Sequence, residues 1–258
     1  MDIFSLIGFW PTLAAMALGL VAGFVKGAVG FALPMILISG LSSFLEPKTA
    51  LAALIVPALA TNIWQGLRDG PRNALQSARK HWLYIALILF FIIVSAQFIA
   101  VIPVWAYFLC LGIPVVGFSA VQLFGWQPHI PPRRRRLAEI VIGTFAGLIG
   151  GLSGVWGPPT VLYLTALGTE KSEQMRLQGV IFGMSACMLL VAHIQSGVLN
   201  ASTLPLSIAM LAPCLLGLGI GLWANDRLDQ ARFRQLTLIV LIIAGLNLVR
   251  RGLAGLLS

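Results

Sequence analysis

Charged side chains make up only 10% of this 258-residue chain, against roughly a quarter in soluble domains. With 59% hydrophobic residues and a mean hydropathy of +0.94, that scarcity excludes a water-soluble fold. Acids are scarcer than bases, eight against seventeen. Asp2, Glu46, Asp69, Glu170, Glu173, Asp226 and Asp229 fall in connections or at ends, and only Glu139 sits at the edge of an apolar run. No buried acid pair therefore offers a proton or sodium relay. Cys110, Cys187 and Cys214 lie inside apolar runs without CxxC spacing, and no histidine stands at ligand spacing. They read as packing residues, so neither a metal nor any other cofactor is expected.

What is present is hydrocarbon. A spanning helix takes about 20 apolar residues, and such runs recur at about 11–45, 48–66, 83–102, 104–124, 137–167, 174–194, 204–223 and 235–252. The first continues past the length of a signal-peptide core and has a counterpart in the second half, so it reads as retained structure. A net charge of +9 does not imply nucleic acid, because the bases sit in short connections rather than on one amphipathic face. The run Arg133 to Arg136, after Pro131 and Pro132, reads as a cytoplasmic anchor. Loops 66–82 and 125–136 are accordingly placed in the cytoplasm and the chain in a bacterial inner membrane. Trp10, Trp64, Trp82, Trp105, Trp126 and Trp223 lie near run ends, where indole favours the interface.

An offset of 124 positions superposes Gly19, Gly23, Gly27, Gly30 and Pro34 on Gly143, Gly147, Gly151, Gly154 and Pro158. The expected organisation is one transmembrane domain over 1–258, with repeat 1 at about 11–124, a basic linker at 125–136 and repeat 2 at about 137–254. The first segment of each repeat is too long for one untilted span and too short for two. Its middle, GAVGFALP at 27–34 or GLSGVWGPP at 151–159, is rich in helix breakers. Each is either a kinked crossing or a re-entrant pair of half-helices, followed by three spanning helices. The kinked version divides the basic residues 10 to 6 between the faces, and the re-entrant version divides them 13 to 3. The positive-inside rule favours the second, in which the repeats are inverted and Lys48, Arg250 and Arg251 alone face outward.

Broken backbone at membrane depth must be buried in protein or line a wet cavity. A helix starting there presents free N–H groups and the positive end of its dipole, which suits an anion. Two such starts, entering from opposite faces, are expected to converge near the midplane, as in alternating-access transporters. Lys26 is the one basic residue deep in an apolar run, and an intramembrane cation is costly enough to suggest function. The candidate substrate-binding residues are therefore Lys26, Gly27, Gly30, Phe31 and Pro34, then Asn62 as an amide donor, then Gly151, Ser153, Gly154, Trp156 and Pro158. The plainer reading of Lys26 is snorkelling to an interface, and of the outer glycines, close helix packing. His193 reads as an interfacial histidine or as the carrier of a coupling proton. Proton and sodium coupling both stay open, as does oligomeric state.

GLVAGFVKGAVGFALP at 19–34 and GTFAGLIGGLSGVWGPP at 143–159, with the duplicated layout, resemble the sulfite exporter TauE/SafE family, also called toluene sulfonate uptake permeases. The resemblance implies transport of sulfite, sulfoacetate or a related organosulfonate, usually outward, without ATP or a bound cofactor. It also implies that Gly27, Gly30, Pro34, Gly151, Gly154 and Pro158 are the family's glycine-rich breaks. Lys26 departs from the duplication, since Gly150 stands at the equivalent position. Two rivals are a channel or assembly factor, and a rhomboid-like serine protease. The latter rests on Gly151-Leu152-Ser153-Gly154 with His193 as a dyad, but the first repeat carries no serine at that place.

Overall fold

The computed structural model describes residues 8–125, 129–225 and 230–257. Trp126 lies outside the described residues, as do Arg227 and the side chains of Lys171, Arg232 and Arg234, four of the basic residues that the inverted arrangement places in the cytoplasm. The chain is an all-α polytopic membrane protein, with eight helices among the described residues long and apolar enough to cross a bilayer.

Twelve α-helices follow in order among the described residues: α1 Phe9–Val29, α2 Leu33–Leu41, α3 Pro47–Leu67, α4 Pro71–Lys80, α5 Trp82–Ala96, α6 Val104–Leu123, α7 Arg135–Ser153, α8 Gly157–Ala166, α9 Lys171–Gln195, α10 Leu204–Ala209, α11 Leu211–Asn225 and α12 Gln230–Leu257. Loop 66–82 thus contains a helix. Polar α4, with Ala74 and Ser77 turned inward, has the make-up of an interfacial helix.

The long first segment is broken at Gly30–Ala32, where Gly30 (φ 86°) and Ala32 (φ 82°) are left-handed. The chain reverses there: Gly40 near the end of α2 packs on Leu18 of α1. The second segment does the same, since Tyr163 of α8 donates a hydrogen bond to Glu139 near the start of α7, at 2.9 Å. Each segment is therefore a hairpin. Its arms are unequal, because α1 alone has 21 residues, enough for a full crossing, whereas α2 has nine. The glycine-rich stretch 27–34 marks the turn, and what the re-entrant alternative of two half-helices does not carry is the full length of α1.

Glycines set the pairings. Gly19, Gly23 and Gly27 of α1 meet Met210, Cys214 and Leu218 in that order, so α1 lies parallel to α11. Gly143, Gly147 and Gly151 of α7 meet Tyr84, Ile88 and Ile92, so α7 lies parallel to α5. In contrast α3 and α9 are antiparallel, with Asn62 against Gly183 and Gly66 against Gly179. So are α6 and α12, with Gly112 against Gly245 and Trp105 against Gly252. The outer glycines are packing residues, admitting backbone to backbone.

At the α4/α5 corner, buried His81 shares a hydrogen bond with Tyr163 (Nδ1 to Oη, 3.2 Å), and Arg135 pairs with Glu139 at 3.0 Å. Burial, then Arg135 and Lys80, lower the His81 pKa from 6.5 to about 4. Over that interval the unfolded chain binds a proton that the folded one refuses, so stability falls as pH drops from 6.5 towards 4. His81→Gln should flatten that dependence when melting temperature is followed in detergent from pH 7 to 4. A second expectation concerns packing. A Cβ on Gly23 would overlap the Cys214 backbone, whereas one on Gly219 meets nothing within 4 Å. Gly23→Ala should lower the melting temperature by several degrees, and Gly219→Ala should leave it unchanged or slightly raised.

Candidate functional site

The first break holds the most unusual charge in the protein. Lys26, in the last turn of α1, is only 1% exposed. Its ammonium donates to Asn62 Oδ1 on α3 and lies 5.8 Å from the centre of the Phe182 ring on α9. Snorkelling does not describe it. Among the described residues no carboxylate lies within ion-pair distance of Lys26, so the amide, the ring and the negative end of α1 stabilise the cation. Because Oδ1 faces the ammonium, the Asn62 NH2 faces away, at 3.5 Å from the Phe182 carbonyl. That contact is long, and the donor remains available to another acceptor.

One turn along α3, Gln65 Nε2 donates to the carbonyls of Gly30 and Met175, both at 3.1 Å. The turn between α1 and α2 is thereby tied to α3 and α9 together. Gln65 Oε1 and Gln178 Oε1 are buried without a hydrogen-bond partner, and a Cβ on Gly30 would come within 2.9 Å of the latter. Phe31 is buried beside them, and Pro34 lies in the first turn of α2, which has no side-chain cap. Gln65 and Gln178 were missed in the sequence. The signal existed, since Gln65 follows Asn62 by three positions and shares its helical face within an apolar run.

The second break is built differently. Ser153 Oγ donates to the Ile149 carbonyl at 2.7 Å and accepts from Val155 N–H at 3.1 Å, which fully employs it in shaping the turn. Trp156, 1% exposed, covers Gly150. Gly154 (φ 72°) is surrounded by Leu51, Leu54 and Leu189. Pro158 and Pro159 both fall in the opening turn of α8, removing two of the N–H groups that an anion would use. His193 Nε2 meets the Gly151 carbonyl at 2.9 Å and its Nδ1 meets Ser196 Oγ at 3.0 Å. A carbonyl only accepts, so Nε2 carries the proton and Nδ1 accepts from the serine. Ser153 and His193 are each engaged with other groups, and His193 is buried in the last turn of α9.

The two breaks also stand apart. The first lies level with Gln65 on α3 and the second with Leu51 and Leu54. At 1.5 Å per residue that is roughly 15–20 Å along the helix. They flank the middle of α3 instead of meeting there. The structure thus brings together Lys26, Gly30, Phe31 and Asn62, and groups Gly151, Ser153, Gly154 and Trp156 at another level. A cleft of about 310 Å³ between α3, α4 and α9 reaches the first group, lined by Asn62, Gly66, Ala74, Gly179, Gly183 and Cys187.

Comparison with known families finds one whose profile, described as Sulfite exporter TauE/SafE, matches residues 15–248. No curated protein and no solved structure matches the chain.

The Lys26–Asn62 contact can be tested through stability. Asn62→Leu strips a buried ammonium of its acceptor and should destabilise by about 2–4 kcal/mol. Adding Lys26→Met should recover most of that loss, and a double-mutant cycle followed by chemical denaturation in detergent reads the coupling. Additive effects of the two changes would refute it.

Proposed function

The chain belongs to the sulfite exporter TauE/SafE family of membrane transporters, and on that premise we propose that it carries sulfite or an organosulfonate such as sulfoacetate outward across a bacterial inner membrane. The single observation that carries this reading is Lys26, a cation buried in the membrane-spanning core with, among the described residues, a neutral amide as its only hydrogen-bond acceptor. A site with net positive charge and no fixed counter-ion is completed by an anion. On binding, an oxyanion oxygen takes the ammonium from Asn62 Oδ1, and the Asn62 NH2 donates to a second oxygen. The ammonium and the NH2 each keep an acceptor throughout, while Oδ1 gives up its donor.

The reading assigns alternating access to two inverted repeats. It is supported by the recurrence of the two breaks, Gly30–Ala32 and Gly154–Trp156, at the offset of 124 positions. It is supported too by the antiparallel course of the corresponding helices α3 and α9, and of α6 and α12. A two-fold axis lying in the membrane plane relates antiparallel partners in this way. The moving parts are the α1–α2 and α7–α8 hairpins, sliding against the central α3/α9 pair. Gln65 is the latch on the first of them. Loops 66–82 and 125–136 then lie in the cytoplasm.

Lys26→Ala should raise the dissociation constant for sulfite or sulfoacetate by about ten- to a hundred-fold, the equivalent of roughly 1–3 kcal/mol for a lost charge-assisted bond. Equilibrium binding and counterflow in proteoliposomes measure it. Unchanged affinity and flux in folded protein would overturn the assignment of the site. Gly154→Val, against the left-handed φ of 72°, should abolish flux while membrane insertion persists.

A further inference from the structure

Of the basic residues that the inverted reading leaves on the face opposite loops 66–82 and 125–136, two converge on one cavity. Lys48, in the first turn of α3, and Arg251, late in α12, both line a hollow of about 530 Å³. The positive-inside rule disfavours bases on that face, so their convergence calls for a ligand.

We propose that this cavity is a second anion site, an outer vestibule that binds a short-chain organosulfonate by its charged head. The inference rests on the transport reading for its place in the pathway, and on the cavity alone for its chemistry. Arg251 is positioned for the role. Its guanidinium stacks on Phe108, 4.3 Å from the ring centre, and donates to the carbonyl of Ser42. One fork of the group is anchored to α2's end while its other donors have no hydrogen-bond partner among the described residues. Neither Arg251 nor Lys48 has a carboxylate within ion-pair distance among those residues, although Glu46 also borders the hollow. A net positive charge therefore remains after Glu46 is counted.

The second, independent observation is Tyr107. It lines the cavity, is 4% exposed, and its hydroxyl has no hydrogen-bond partner. A buried phenol left unsatisfied is costly, and an oxyanion in the hollow would accept from it. The volume falls in the range of small-molecule sites, ~300–1,000 Å³, and exceeds what a bare sulfite fills. Phe44, Ile99 and Ile102 supply the apolar wall for a carbon tail. The vestibule accordingly prefers an alkanesulfonate over sulfite.

Binding of ethanesulfonate and of sulfite is measured by calorimetry with purified protein in phosphatidylcholine nanodiscs, where no anionic headgroup competes. The Lys26→Ala protein, with the inner site disabled, should still bind ethanesulfonate saturably and more tightly than sulfite. Adding Tyr107→Phe or Arg251→Gln should weaken ethanesulfonate at least tenfold. Arg251→Lys, which keeps a donor for the Ser42 carbonyl, controls for folding and should weaken it less. Unaltered binding in both Tyr107→Phe and Arg251→Gln overturns the proposal. So does absence of ethanesulfonate binding together with Arg251-dependent retention of phosphatidylglycerol, which would make this a lipid headgroup site. Flux lost with vestibule binding intact would sink the transport reading alone, and normal flux with no vestibule binding would sink this inference alone.

Discussion

A positive charge in a hydrocarbon slab has to be surrounded before it can be tolerated, and the arrangement of this protein around Lys26 follows from that requirement. The ammonium needs an acceptor, which brings Asn62 of α3 to it, and a polarisable wall, which brings Phe182 of α9. Those two helices must then cross close by. Gly66 and Gly179 allow it, since a side chain on either would strike the other's backbone. Gln65 closes the construction by bonding the turn itself to α9. The cation, the crossing and the turn are one unit, and a change in any of them reaches the others through hydrogen bonds no longer than a single contact.

The halves share a frame and differ in content. Where α1 carries Lys26 and the turn after it carries small Ala32, the second half carries Gly150 and Trp156 at the corresponding positions. In the second half the indole lies over the glycine and fills the space with apolar surface. The polar contacts of the first break, Asn62, Gln65 and Gln178, correspond to Ala186, Leu189 and Leu54 at the second. One break is thus a polar pocket and the other a packed joint. The turn recurs in both halves, and the polar contacts are concentrated at one of them.

Much of this was legible. The spans follow from apolar length, and the breaks from glycine and proline clusters that hydrocarbon would not tolerate in a continuous helix. Lys26 and Asn62 stood out as polar residues in apolar runs, and the structure joins them. The unequal hairpin arms were not legible, because a left-handed Ala32 has no compositional signature. The vertical separation of the breaks was hidden too, since it depends on how far each hairpin rises beside α3. Pro159 was present in the sequence, yet its effect on the amide supply of α8 shows only when Gly157 is known to open the helix. Arg251 counted as a charge in a topological sum. That its guanidinium lies over Phe108 of α6 is a tertiary fact.

The contact between Gly66 and Gly179 has a mechanical meaning. Helices that interlock through side chains must lift knobs out of holes before they can shift, whereas two bare backbones touching at one crossing have little to disengage. Such a contact sets the spacing of α3 and α9 at that crossing. The polar ties beside that crossing are Gln65 and the Lys26–Asn62 bond, and an anion that engaged Lys26 as proposed above would release the second of them.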